Sequence, residues 1–190
     1  MDKAAYMELL RERLSEKRFA HSIEVMKEAG RLARRFGADP EKAELAGLLH
    51  DITKECGPKE QLQLCEKFGI TVSESERAIP KILHAVTGAA VLERELGITD
   101  PEILDAVRYH TTGRERMGLL EKIIYIADCV EPTRNYYGVQ KIRAALKRDG
   151  LNAAILTALT GTISVHIERD SLLDLSSVKA RNYFLLHRDE

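Results

Sequence analysis

Apolar residues recur at helical spacing along the whole chain. The clearest case is Phe19, Ile23, Met26, Gly30 and Ala33, which step by four, three, four and three, while Glu24, Lys27, Arg31 and Arg34 fall on the other side. That is the pattern of a surface helix with one apolar stripe and one solvated face. No stretch alternates apolar and polar residues over strand length with β-branched enrichment. The periodicity predicts helices over 4–17, 19–36, 40–55, 58–68, 80–96, 101–111, 118–130, 138–148, 151–169 and 177–187. Asp39-Pro40 and Asp100-Pro101 read as helix starts, the Asp capping and the Pro at the first helical position. Gly37, Gly69, Gly97, Gly113 and Gly150 fall where the helical patterns stop. The longest connections are 69–79, 131–137 and 170–176. There is no internal repeat, no low-complexity segment and no composition shift that would mark a linker. The expectation is one all-α domain over residues 1–190.

Composition adjusts this picture only slightly. The 190 residues are 44% hydrophobic and 31% charged, enough to build a core without staples. The net charge of -1 disfavours a basic nucleic-acid binder, so neither DNA nor RNA is expected as a partner. The segment Leu151 to Ile167, free of Asp, Glu, Lys and Arg, is short for a membrane span and carries Asn152, Ser164, His166 and three threonines. It predicts a buried helix rather than a membrane segment. The charged start MDKAAYMELLRERLSEK lacks the apolar core of a signal peptide. Cys56, Cys65 and Cys129 form no CxxC pair and are odd in number, which fits a reducing cytoplasm. Met7, Met26 and Met117 read as apolar gap fillers. Exposed apolar positions on the first or last helix leave room for a homodimer.

The candidate chemistry lies in histidines and aspartates on apolar helices. His21 sits in FAHSIEVM, His50-Asp51 in AGLLHDITK, His84 in IPKILHAVTG, His110 in AVRYHTTG and Asp128 in EKIIYIADCVEP. A carboxylate on an apolar helix face needs a compensating cation, or its desolvation cost is large. Imidazolium groups can supply that charge, or one metal ion can supply it for several residues. Histidine nitrogen with carboxylate oxygen is a ligand mix that suits Fe, Mn, Ni or Zn. Taken singly, each histidine is more often a satisfied core residue than a ligand, and the combination carries the case. Lys54, four residues after His50, is either a phosphate contact or a surface lysine near a helix end. Arg134, just past Glu131-Pro132, either grips phosphate bidentately or is a solvated loop arginine. Thr111, Thr112 and Gly113 either donate to phosphate oxygens or simply end a helix. His166, on the stripe with Leu159 and Ile163, reads as structural, and His187 as surface.

The ordered set His21, His50-Asp51, His84, His110 and Asp128 resembles the signature of HD-domain metal-dependent phosphohydrolases. The strings RFAHSIEV, AGLLHDITK, AVRYHTTG and YIADCVEPTR resemble the bacterial YqeK-type branch, over essentially the whole length from His21 onward. The resemblance implies an HD-type helical bundle of about eight to ten helices. It implies a symmetrical bis(5'-nucleosyl)-tetraphosphatase that cuts diadenosine tetraphosphate into two ADP with a divalent metal, taken as iron. Carried over residue by residue, His21, His50, Asp51 and Asp128 are metal ligands, and His84 and His110 complete a second metal site or contact phosphate. Asp51, His84 and His110 are then the catalytic set. Lys54, Thr111 and Arg134 fall at substrate positions, which His21, His50, His84, His110 and Asp128 share. The loop Leu172, Leu173, Asp174, Leu175, Ser176 and Ser177 is implied to close over the nucleotide. The ligand types specify phosphoester chemistry and not the leaving group, so a nucleotidase or phosphodiesterase acting on another nucleotide, or a nucleotide sensor without turnover, uses the same residues.

Overall fold

The computed structural model describes residues 3–188, the side chain of Ser75 excepted. Among the described residues there are eleven α-helices and no strand. They are α1 (Lys3–Arg13), α2 (Glu16–Phe36), α3 (Pro40–Leu49), α4 (Pro58–Lys67), α5 (Glu74–Ala78), α6 (Leu83–Arg94), α7 (Pro101–Tyr109), α8 (Leu119–Val130), α9 (Val139–Arg148), α10 (Leu151–Glu168) and α11 (Leu175–Leu186). A 3-10 turn, Pro80–Ile82, leads into α6.

The centre of the bundle is α8. It packs on α2, α3, α7, α9 and α10, and Ile123, Ile124, Ile126 and Ala127 are wholly buried. Each buried Ile contributes about 1.5–3 kcal/mol by leaving water. The most extensive pairing is α2 on α3, and Gly47 permits it. A Cβ at Gly47 would lie 3.1 Å from the Ala29 Cβ, the Met26 Cα and the Val25 carbonyl oxygen of α2. These two helices carry His21 and lead into His50-Asp51.

The expected helix starts hold. Asp39 accepts from the Glu41 and Lys42 amides, and Asp100 from that of Glu102. All five glycines expected at helix ends have positive φ, between 66° and 87°. Ser15 caps α2, so the break between the first two helices falls at Leu14-Ser15 and not at residue 18. The apolar stripe expected on α2 holds at Gly30 and Ala33, which are buried; Ser22, Val25, Ala29 and Leu32 complete the buried face, and Phe19, Ile23 and Met26 flank it.

Further expectations need correction. The helix expected over 40–55 ends at Leu49, and residues 50–56 continue as tight turns with bonds such as Lys54 N–H to Asp51 O (2.8 Å). Side-chain bonds stabilise the turns: the Thr53 hydroxyl donates to His84 O, and Gln61 donates to Thr53 O. A short helix, α5, falls inside the expected loop 69–79. Its signal is the capping box Ser73-x-x-Glu76, in which the Ser73 amide donates to Glu76 Oε2 and the Glu76 amide to Ser73 Oγ. The last helix begins at Leu175, capped by Asp174, so Leu175–Ser177 form its first turn. Only the first half of α10 is buried, at Leu151, Ala154, Ile155, Ala158 and Leu159, while Gly161, Thr162, Ser164 and Ile167 face solvent. Among the described residues no helix is long and apolar enough to cross a membrane.

Candidate metal centre

His21 from α2, His50 and Asp51 just past α3, His84 from α6, His110 just past α7 and Asp128 from α8 converge on one buried cluster. His50, Asp51, His84 and His110 are each 2% exposed or less. Their ligand atoms form overlapping triads, His21–His50–Asp51, His50–His110–Asp128 and Asp51–His84–His110, within 4.8 Å of one another. Asp51 links the two halves. Its Oδ2 faces His50 Nε2 (3.4 Å) and His21 Nε2 (3.9 Å), while its Oδ1 faces His84 Nε2 (3.2 Å) and His110 Nε2 (3.5 Å). Asp128 Oδ1 lies 3.0 Å from His21 Nε2 and 3.8 Å from His50 Nε2.

The rings are aimed from behind. The Nδ1 atoms of His50, His84 and His110 donate to the carbonyls of Gly47 (2.8 Å), Lys81 (2.6 Å) and Val107 (2.7 Å). A carbonyl only accepts, so each Nδ1 carries a proton, and in the neutral ring the Nε2 lone pair then faces inward. His21 differs: its Nδ1 pairs with the Glu131 carboxylate at 3.1 Å. A carbonyl or carboxylate on the outer nitrogen is the arrangement that orients metal-bound imidazoles.

A cation fits this centre. His50 Nε2 and Asp51 Oδ1 are buried without a hydrogen-bond partner, and orphaned buried polar atoms are costly. Burial raises the Asp51 carboxyl, but His50, His110 and His84 outweigh it and hold the group well below the usual carboxylate range. Burial likewise raises Asp128, while His21, His50 and Arg134 bring it well below that range. Burial draws His110 down to about 4 against the pull of the Asp51 carboxylate beside it, which leaves a neutral imidazole at pH 7. Ionised carboxylates and neutral imidazoles are the ligating forms.

Basic side chains ring the cluster. Lys54 Nζ sits 2.9 Å from His84 Nε2 and 3.8 Å from Asp51 Oδ1. It therefore faces His84 rather than sharing a face with His50, because α3 stops before it. Burial lowers the Lys54 pKa, opposed by Asp51 and Asp128. Thr111 Oγ1 lies 3.1 Å from both His84 Nε2 and His110 Nε2. Arg134 pairs with the Asp128 carboxylate and lies 3.2 Å from His21 Nε2. Thr112 does not point at the cluster; its hydroxyl donates to Gly113 O.

Of the loop Leu172–Ser177, Ser177 Oγ donates to Thr112 O (3.0 Å), which brings the start of α11 beside the turn after His110. Leu172 and Leu175 are exposed, and Asp174 and Ser176 serve the α11 cap. His166 is half-buried and closes the turn after α10 through Ser171 Oγ (2.9 Å). His187 packs on the Tyr183 ring.

Two participants escape sequence reasoning. Arg18 donates to Asp51 Oδ2 at 2.9 Å; its position three residues before His21, on the same helix face, was the available signal. Glu131 is 1% exposed and binds His21, the Thr133 amide (2.6 Å) and the Thr133 hydroxyl (2.7 Å). In the sequence it marks only a helix end before proline.

Comparison with known proteins agrees with this geometry. Residues 18–133 match the HD domain family, a span that holds all six cluster residues and stops one short of Arg134. A protein of Halalkalibacterium halodurans named symmetrical bis(5'-nucleosyl)-tetraphosphatase is 37% identical over 99% of this chain and 100% of its own length. One of the same name from Bacillus subtilis is 40% identical over 86% of this chain and 87% of its own. A crystal structure from Clostridium acetobutylicum, described as an HD superfamily hydrolase involved in NAD metabolism, superimposes with a TM-score of 0.95 at 37% identity, covering 98% of both chains. The chain belongs to the HD domain family, in the branch of the symmetrical bis(5'-nucleosyl)-tetraphosphatases.

Proposed function

We propose that this chain hydrolyses diadenosine tetraphosphate, and related dinucleoside polyphosphates, symmetrically to two nucleoside diphosphates. The observation that carries the chemistry is the inward set of imidazole Nε2 atoms around Asp51, with His50 Nε2 and Asp51 Oδ1 lacking any hydrogen-bond partner. The names of the full-length relatives supply the substrate.

His21, His50, Asp51 and Asp128 would hold a divalent metal, with His84 and His110 available to a second. The donor set suits iron, which is our first choice, and also Mn, Ni or Zn. When bound, such an ion makes water a competent nucleophile near neutral pH and offsets phosphoryl charge. The chain's own groups do the remaining work. Asp51, with one oxygen toward each half of the cluster, orients the attacking water. Water adds to a phosphorus beside the central bridging oxygen, the bond to that oxygen breaks, and ADP departs. Lys54 and Arg134 neutralise charge that grows on the phosphoryl oxygens, and Thr111 donates to one of them. His84 Nε2, which Lys54 and Thr111 flank, or His110 Nε2 beside it, whichever does not hold a metal, takes up the proton that the attacking water loses and passes it to the leaving ADP. The Leu172–Ser177 segment covering the nucleotide is part of the same reading, supported by the Ser177–Thr112 contact.

Two further expectations rest on smaller observations: a homodimer on the exposed Leu175, Leu185 and Leu186 of α11, and a cytoplasmic location on the three free cysteines. The function is tested by Asp51→Ala. Both metal binding and diadenosine tetraphosphate turnover should be lost, and full activity in that variant rejects the assignment.

A further inference from the structure

Two site groups, Glu131 and Arg134, depend on one short turn. α8 ends at Val130, and Glu131, with φ -49° and ψ 154°, leaves the helix. Over the next three residues the chain sends the Glu131 carboxylate to His21 Nδ1 and the Arg134 guanidinium back to Asp128. Arg134 Nε also donates to Asp128 O at 2.8 Å. The last carbonyls of a helix lack partners within it, so something else must fix their direction.

That partner is Arg143 on α9. Its guanidinium donates to Val130 O (3.1 and 3.2 Å), Glu131 O (2.8 Å) and Arg134 O (3.2 Å). A planar fork with five donors can satisfy three carbonyls at once, and its positive charge suits a helix C-terminus. α9 is itself anchored, since Arg35 of α2 donates to Leu146 O (3.1 Å). The hydrogen bonds of the Arg143 side chain go to the carbonyls of the turn and not to the six cluster residues, so its reach into the site runs through the turn.

We propose that Arg143 is a positioning residue, whose hold on the Val130, Glu131 and Arg134 carbonyls fixes the turn that aims Glu131 at His21 and Arg134 at Asp128. The proposal rests on the reading of His21 and Asp128 as metal ligands. A cavity of about 430 Å³ opens beside the guanidinium, bordered by Val130, Pro132 and Leu146 and on its charged side by Glu28 against Arg31, Arg35 and Lys147. A free guanidinium ion therefore has a way in when the Arg143 side chain is removed.

The test is Arg143→Ala, read by manganese(II) affinity and by KM for diadenosine tetraphosphate. Outer partners of metal ligands typically matter by about 10–100-fold in affinity, so manganese should bind at least about tenfold more weakly. KM should rise through the misplaced Arg134, the far-UV helical signal should stay, and millimolar guanidinium chloride should restore part of both losses where equal sodium chloride does not. Manganese affinity within twofold of the unsubstituted protein overturns the proposal, as does a loss that guanidinium leaves untouched. If the alanine variant does not fold, Arg143→Lys keeps the charge and stem but cannot span three carbonyls; unchanged manganese affinity there also overturns it. An unsubstituted protein that binds manganese yet leaves diadenosine tetraphosphate intact rejects the proposed function and leaves the affinity test standing.

Discussion

One substitution made at two places tests the packing on which the centre depends. Gly47 and Gly161 both lie inside helices, and glycine to alanine in a helix interior gains roughly 1 kcal/mol from propensity alone. At Gly161 a new Cβ has nothing within 4 Å, so that gain stands alone. At Gly47 the same Cβ meets three atoms at 3.1 Å, two of them backbone atoms of α2, which no rotamer change can move aside. α3 must then back away from α2 by a few tenths of an ångström, and overpacking of this kind costs about 1–3 kcal/mol. The balance predicts a gain at Gly161 and a net loss of up to about 2 kcal/mol at Gly47. For a chain of this size each kcal/mol moves Tm by about 2–4 °C. Calorimetry of the two variants should show shifts of opposite sign. Manganese affinity should fall only in Gly47→Ala, because Gly47 O orients His50 and the α2–α3 spacing sets the distance from His21 to Asp51. Equal Tm gains in both variants would refute the close approach and the placement of His21 against Asp51 that follows from it.

Other outcomes follow from the same structure. Lys54→Ala should raise KM or lower kcat while metal content, measured by elemental analysis, stays near normal; loss of the metal would make Lys54 structural. Hydrogen bonding to Lys3, joined by Arg34 and opposed by burial, holds the Glu44 carboxyl below its ordinary value of 4.5. Its contribution is therefore complete above that value and disappears as pH falls through the lowered one. Tm of Glu44→Gln should accordingly vary less than that of the unsubstituted protein between pH 5 and pH 3, and parallel curves would contradict the pairing. The Cys56 thiol is pushed up to about 11, by burial and then by the Glu60 charge, so its alkylation rate should still be climbing at pH 10. A plateau by pH 9 would contradict that environment.

The sequence reading succeeded where one local signal decides the outcome. The apolar run of α8 had no competitor, and Asp39-Pro40 and Asp100-Pro101 carry their caps within three residues. The cluster was legible as a set because each of its six members is a polar residue in a segment whose apolar pattern predicts a helix. What stayed hidden depends on distant partners. Helix α3 stops at Leu49 because Thr53 and Gln61 bond across to other elements, and this turns Lys54 toward His84. Arg18 sits in a run of charges and gains meaning only when α3 brings Asp51 against it. Glu131 looks like a helix end until His21, 110 residues away in the chain, is found on its carboxylate. Ser73 and Glu76 show the other kind of miss: the capping-box signal was local, and the five-residue helix it starts was short enough to pass as loop.

The most direct measurement is product analysis. The protein is loaded anaerobically with ferrous iron, given diadenosine tetraphosphate, and the products are separated. ADP as the sole nucleotide product is the result expected from attack beside the central bridging oxygen at this centre. ATP with AMP would contradict that geometry, and intact substrate with iron bound would contradict the proposed function.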